Sequence, residues 1–307
     1  MTHRTIPGLH HVTAISGPPQ DNVDFFTGTL RQRLVKKTVN FDAPETYHLY
    51  YGNETGDPGT ILTFFPFVDA GPGRAGPGMA SAYAYAVPAG QFDAWMERLA
   101  EDAVDFDGPV TRLGQRVIAL RDPDGAPVEL IETDRVADAP LDGFHSVTLW
   151  EQDPEPTARV LTDIFGYEAA GSQTEGGMER LRFAAPGDAR GAVVDILRSD
   201  APSIGRPGAG TIHHVAFRAE DHDTHLAWRE TLLSQGHAVT PVIDRQYFDA
   251  IYFREPGGVL FEIATDPPGF AVDEPVETMG TKLMLPAQHE RLRERIERVL
   301  PPIRTAA

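Results

Sequence analysis

Four short apolar runs rich in β-branched and small residues recur along the chain, at Leu9–Ile15, Ala82–Val87, Phe144–Trp150 and Ile212–Arg218, and each reads as a strand. An acidic or Pro/Gly-containing turn follows each run. Then comes a stretch of helical period: Asn22–Val35, Gln91–Ala100, Pro156–Phe165 and Thr224–Gln235. Asp21 and Asp223 are expected to cap helices, and Gly166 and Gly236 to stop them. After each helix the pattern predicts three short strands separated by turn signals.

The chain therefore divides into four copies of one β-α-β-β-β grammar, expected at 1–70, 80–135, 141–200 and 208–268, with a tail over 269–307. The sharpest internal match is between Arg121-Asp122-Pro123-Asp124-Gly125-Ala126-Pro127-Val128-Glu129-Leu130 and Arg254-Glu255-Pro256-Gly257-Gly258-Val259-Leu260-Phe261-Glu262-Ile263, a turn followed by a strand carrying a glutamate. One such unit cannot bury its sheet alone, whereas two together make a curved half-open barrel, so an α+β fold of two barrels is expected. The segments Ala70–Met79, Val136–Asp142 and Pro202–Gly210 read as linkers, and the Gly-rich run within the first as a flexible one. It lacks phosphate-loop spacing. A charged helix is expected near Pro286–Leu300, with Glu290, Arg291, Arg293, Glu294 and Arg295 on a solvated face or, less favoured, clasping a second copy in a homo-oligomer.

Composition narrows the partners. The 307 residues carry a formal net charge of -18, which opposes binding to nucleic acid or to anionic membrane. No run of eighteen apolar residues occurs and the first twenty residues hold no apolar core of signal-peptide length, so a cytoplasmic protein is the expectation. The absence of cysteine leaves His, Asp and Glu as the ligands for any metal.

Histidine placement then becomes informative. Leu9-His10-His11-Val12 and Ile212-His213-His214-Val215 nearly repeat one another about two hundred residues apart, both on expected strands. Neighbours on a strand point to opposite faces, so one histidine of each pair can face a shared interior.

Together with Gly8-Leu9-His10-His11-Val12-Thr13-Ala14, His213-His214-Val215-Ala216-Phe217, Asp244-Arg245 and the run from Tyr252 to Glu262, the fourfold repeat resembles the vicinal oxygen chelate superfamily. That superfamily includes glyoxalase I and the extradiol dioxygenases. More narrowly, the chain resembles ring-cleaving dioxygenases acting on hydroquinones, over all four units and into Pro267-Pro268-Gly269-Phe270.

Aligning the units on one another tests the metal idea internally. His11 lines up with His214, with Ala84 in the second unit and with Ser146 in the third. Glu262 lines up with Glu129, with Asp195 and with the neighbourhood of Thr63 and Phe64. Only His11, His214 and Glu262 combine two imidazoles with a carboxylate, which requires the first and fourth units to share a barrel and the second and third to form a metal-free one. Glu129 and Asp195 are expected at solvated or edge positions, and His145, aligned with His10, to be structural.

A 2-His-1-carboxylate face leaves adjacent positions open on an octahedral ion, which favours Fe(II), with Mn(II) also fitting. The resemblance implies that His213 acts as acid and base, that Arg245 offsets negative charge, and that Tyr252 bonds a substrate oxygen. Thr13 shares the strand face of His11 and is expected to line the cavity, while His10 stands behind. Tyr247, Phe248, Phe253 and Phe261 supply aromatic surface. The expected activity is ring cleavage of a dihydroxylated aromatic with O2. The rivals are a glyoxalase-type isomerase or lyase, which commonly needs a second carboxylate, and a metal-free protein that sequesters aromatic ligands.

Overall fold

A computed structural model describes residues 4–200 and 204–305. The first unit runs β1 (Leu9–Ser16), α1 (Pro19–Val23), β2 (Arg33–Asn40), β3 (Ala43–Gly52) and β4 (Ile61–Pro66). The second runs β5 (Met79–Val87), α2 (Phe92–Glu101), β6 (Phe106–Arg112), β7 (Gln115–Arg121) and β8 (Pro127–Glu132). The third runs β9 (Phe144–Glu151), α3 (Glu155–Arg159), β10 (Glu168–Glu175), β11 (Met178–Ala184) and β12 (Val193–Arg198). The fourth runs β13 (Thr211–Ala219), α4 (His222–Ser234), β14 (Ile243–Asp244), β15 (Phe248–Arg254) and β16 (Leu260–Pro268). Two short helices follow, α5 (Ala287–Glu290) and α6 (Arg293–Val299). Among the described residues no helix is long and apolar enough to cross a membrane.

The strands form two curled eight-stranded sheets, ordered β14-β15-β16-β13-β1-β4-β3-β2 and β10-β11-β12-β9-β5-β8-β7-β6. The first and fourth units thus share one half-barrel and the second and third the other, as the histidine argument required. The seams are the antiparallel pairs β1 with β13 and β5 with β9. β1 is buried on both faces, so His10, His11 and Thr13 sit in it alongside Leu9 and Val12 without polar/apolar alternation.

Several local expectations are corrected. The helix expected over Asn22–Val35 ends early: α1 continues as π-type turns only to Thr29, Arg31 takes a positive φ of 54°, and Arg33 opens β2. Leu34, Val35 and Val39 then face packed surfaces of that strand. Pro18, not Asp21, precedes α1, and Asp221, not Asp223, caps α4 by accepting from the Thr224 N–H at 2.7 Å. Gly166 and Gly236 do end their helices, at φ 77° and 86°. The charged C-terminal helix is broken between Glu290 and Arg293.

Two of the three linkers are tied to one another. Gly73 N–H donates to Ala209 O and Arg74 pairs with Arg206 in both directions, each at 2.8 Å. The Gly-rich run is therefore a fixed crossing between barrels, not a flexible tether; of the linker expected over Pro202–Gly210, positions 202 and 203 lie outside the described residues. The tail past Pro268 closes the underside of the first barrel. Phe270 and Met279 pack beside Tyr50 and Tyr247, and the fully buried Lys36 ammonium pairs with Asp273 and Glu274, both at 2.6 Å.

Strand registers refine the internal alignment. Thr13 opposes His214 and His11 opposes Ala216; in the other barrel Ala84 opposes Ser146 and Ala82 opposes Thr148. The counterpart of His11 is therefore Ala82, and Ala84 matches Thr13. Glu129 and Asp195 are also not solvated. Glu129 bonds Arg112 at 2.8 Å, and Asp195, 1% exposed, takes Arg182 at 2.8 Å and Arg180 at 3.2 Å. Fixed guanidinium charge answers the carboxylates in this barrel, and the Arg180 and Arg182 charges outweigh burial to hold the Asp195 carboxyl below its usual range. His145 is half-buried and bonds Ser146 and Gln115, a structural place. Asp195→Ala is expected to cost about 3–5 kcal/mol, because removing one side of a buried ion pair strands the other. Metal content should be unchanged, and a wild-type denaturant midpoint would contradict this account.

Candidate metal centre

Sheet register assembles the three candidate ligands. His11 stands across from Ala216 on β13, Ala216 stands across from Glu262 on β16, and His214 lies two residues before Ala216. A methyl group at 216 leaves space between the larger side chains. His11 Nε2 lies 3.3 Å from His214 Nε2 and 3.4 Å from Glu262 Oε2, which is 2.9 Å from His214 Nε2. All three residues are buried, and among the described residues they alone group as possible metal ligands.

The donor set fits a divalent ion. Ligands at ~2.1 Å on one octahedral face stand about 3 Å apart, the spacing found here. Glu262 is fully buried, and beyond the two candidate-ligand imidazoles its oxygens have no hydrogen-bond partner, which is costly for a carboxylate without a cation. Burial pushes the Glu262 carboxyl up, but His11 and His214 more than offset this and hold it well below the usual range. Burial likewise lowers His214. The site is thus two imidazoles and an ionised carboxylate, with the Nε2 atoms converging.

The first histidine of each pair sits at a β-bulge. Between Leu9 and His11 the register slips so that His10 is the extra residue, and between Thr13 and Ala14 it slips on the opposite strand so that His213 is. Bulges re-aim side chains. His10 Nδ1 lies 2.9 Å from His11 Nδ1, and His213 Nδ1 lies 2.8 Å from His214 Nδ1. Each ligand imidazole therefore has a hydrogen-bond partner that fixes its orientation with Nε2 inward. His10 is packed against Phe248 and held uncharged, its imidazole pushed down to about 3 by burial and the nearby His11. His213 is exposed on its strand and meets Phe65 edge-on.

A cavity of about 200 Å³ opens on His11 and His214, with Glu262 buried behind them. That is below the ~300–1,000 Å³ of clefts for drug-sized ligands and suits a single ring. Phe41, Phe65, Phe67 and Phe248 form apolar walls; His213, Arg245 and Tyr252 border it too. Arg245 Nε donates to the Tyr252 hydroxyl at 3.2 Å, its Nη1 reaches Asp42 at 3.3 Å, and burial and Glu262 push the Tyr252 phenol up. Phe253 and Phe261 face the opposite side, against Phe165, and Tyr247 bonds Asp273. Thr13 shares the His11 face but lies beneath the cavity, its hydroxyl 2.8 Å from that of Thr63.

Two polar rings at the cavity were not singled out in the sequence. His48 and Tyr50, from β3, border the cavity, and His48 bonds Thr63. Register explains them. Thr13 opposes Thr63 as Ala216 opposes Glu262, and Tyr50 opposes Thr63 as Tyr252 opposes Glu262. Thr63, not Phe64, is thus the partner by symmetry of Glu262, and Tyr50 that of Tyr252. The Tyr-to-carboxylate spacing was visible in the sequence, but with no carboxylate in the first unit nothing flagged it.

Comparison with known proteins agrees with this architecture. The Glyoxalase/Bleomycin resistance protein/Dioxygenase superfamily signature matches residues 8–130 and 143–263. The chain is 47% identical over 306 residues to a Bacillus subtilis (strain 168) protein named "Putative ring-cleaving dioxygenase MhqO", with 96% of each chain covered. It is 36% identical to the chlorohydroquinone/hydroquinone 1,2-dioxygenase of Sphingobium indicum, again with 96% of each covered. A crystal structure of a "putative dioxygenase" from Bacillus subtilis superposes with a TM-score of 0.91 at 45% identity, covering 99% of both chains. The chain belongs to the glyoxalase/bleomycin resistance protein/dioxygenase superfamily, and within it to the ring-cleaving dioxygenases.

Proposed function

We propose that the protein is an Fe(II)-dependent, extradiol-type dioxygenase that opens the ring of a para-hydroquinone with O2. The observation that carries this reading is the buried His11/His214/Glu262 group, whose two histidines line a single-ring aromatic cavity. His11, His214 and Glu262 would hold the ion, and Mn(II) suits the same donors. When bound, the ion would supply a centre where diol and O2 meet side by side.

The chain's own residues do the rest. Phe248, its ring centroid 4.9 Å from that of His11, and Phe65 beside His213 confine a flat ring and exclude water. Arg245 compensates the negative charge that develops when a substrate hydroxyl loses its proton. Tyr252, oriented by Arg245, donates to the substrate oxygen. His213 at the bulge takes up a substrate proton and returns one to the product, work suited to an imidazole. His10 holds the His11 ring in place.

The glyoxalase-type alternative is disfavoured by Thr63, which stands where a second carboxylate would be needed. A metal-free sequestering role would leave a buried ionised Glu262 without a cation. The test is anaerobic reconstitution with Fe(II), followed by oxygen uptake with hydroquinone, catechol and a methylglyoxal–thiol adduct. Stoichiometric uptake with hydroquinone is expected. Conversion of the thiol adduct without oxygen consumption would overturn the reading.

A further inference from the structure

The hollow of the first barrel does not end at the ring cavity. A second chamber of about 190 Å³ lies beside it, and the two share His213 and His214 as a common wall. Strand register explains the division. Ile15 shares a face of β1 with His11 and Thr13 and stands across from Phe65, while Leu260 and Arg254 stand across from one another on the faces that carry Glu262 and Tyr252. These four side chains form one layer of the concave face, next to the metal centre. The His213 ring stands in this layer at its bulge, edge-on to Phe65 with 5.8 Å between centroids, and separates a ring side from a far side.

The far side differs in chemistry from the ring side. Beyond the histidines its walls are aliphatic, from Ile15, Met79, Ala80, Val259 and Leu260, and its one charged neighbour among the described residues is Arg254, whose exposed head donates to the Gly258 carbonyl at 2.9 Å. Such walls offer a flat diol neither a stacking face nor a hydroxyl partner, whereas a small apolar solute is favoured there. The chamber also has its own way out. A broad cleft of about 1050 Å³, bordered by Val68, Gly71, Pro72 and Val299, shares Ile15 and Pro207 with it. Cleft, chamber and metal ligand thus lie in series, with Ile15 at the outer neck and His214 at the inner end.

We propose that this series is the route and holding site of O2, separate from the cavity that receives the ring. The proposal rests on the ring-cleavage reading above. A cavity of about 200 Å³ is filled by one ring, so a diol seated against Phe65 and Phe248 closes the front way to the centre. The chamber behind His213 stays open. O2 is small, uncharged and apolar, so aliphatic walls cost it no hydrogen bonds, and it arrives at His214 from the side that the ring leaves free. Ile15 sets the width of the neck, and Leu260, two residues before Glu262 on the same face, sets the room at the inner end.

The test uses full-length Fe(II)-loaded wild type, Ile15→Phe, Leu260→Phe and Leu260→Ala. Crystals pressurised with xenon, a small apolar atom that enters dry apolar cavities, are expected to hold it among Ile15, Met79 and Leu260 in wild type and to lack it there in Leu260→Phe. In oxygen uptake at varied O2, both phenylalanine variants are expected to raise KM for O2 about tenfold at wild-type iron content, with kcat at saturating O2 and KM for hydroquinone within about twofold of wild type. Leu260→Ala, which removes the same leucine but adds room, should leave KM for O2 no higher than in wild type. A chamber without xenon in wild type, or an unchanged KM for O2 in either phenylalanine variant, would overturn the route alone. So would an equal rise in KM for hydroquinone, since the chamber would then hold part of the ring. No oxygen uptake by wild type would overturn the ring-cleavage reading and the route with it.

Discussion

Glu262→Gln is expected to yield a folded chain that neither retains iron nor consumes oxygen. The substitution conserves shape and removes only the negative charge, and Glu262 is the sole carboxylate facing His11 and His214 among the described residues. At an effective dielectric of about 20, two unit charges ~4 Å apart attract by about 4 kcal/mol, and a dication at bonding distance gains more. Since 1.36 kcal/mol is tenfold, metal affinity should fall at least ~10³-fold and oxygen uptake with it. Alanine at 11 or 214 should do the same by opening the donor face. Iron measured after anaerobic loading and gel filtration, with a melting curve to establish folding, decides the matter. A Glu262→Gln protein with stoichiometric iron and wild-type turnover would rule out the assigned centre.

Arg245→Met is expected to keep the metal and lose the chemistry. Among the described residues Arg245 is the only guanidinium bordering the cavity, it bonds the Tyr252 hydroxyl, and its charge lies over the Tyr252 ring, 5.4 Å from the centroid. Removing one preorganised donor from a water-poor site typically costs about 10²–10³-fold in kcat. Arg245→Lys should recover only part of this, because an ammonium cannot hold Tyr252 and Asp42 with a planar fork. A fall in kcat at unchanged iron content is the expected pattern. Loss of iron instead would place Arg245 among the supports of the triad.

What could be read in the sequence was whatever repeats. Two His-His pairs and a duplicated turn-strand-glutamate were enough to bring the first and last units together, because no other pairing joins two imidazoles to a carboxylate. The bulges that re-aim His10 and His213 were not legible, since a one-residue slip on opposite strands leaves no mark on either strand alone. Nor was the fate of Glu129 and Asp195. Their partners Arg112, Arg180 and Arg182 lie on neighbouring strands, and pairing across a sheet depends on register. The Asn22–Val35 helix was overrun because Leu34, Val35 and Val39 satisfy either period, and only the turn at Arg31 decides for the strand. His48 was missed for a chemical reason: it binds hydroxyls, and hydroxyl-bearing strand residues are too common to draw notice.

The order of the strands also dictates when the centre can exist. His11 and His214 are 203 residues apart, yet β1 is hydrogen-bonded to β13 along its length. During synthesis the second and third units emerge complete and can close their own barrel while β1 still waits with one edge unpaired. The candidate metal centre is therefore assembled last, by a contact of very high sequence separation that is slow to form. Until β13 and β16 leave the ribosome the nascent chain carries His11 with no partner ligand, so a metal ion has no completed place to bind before β16 is made.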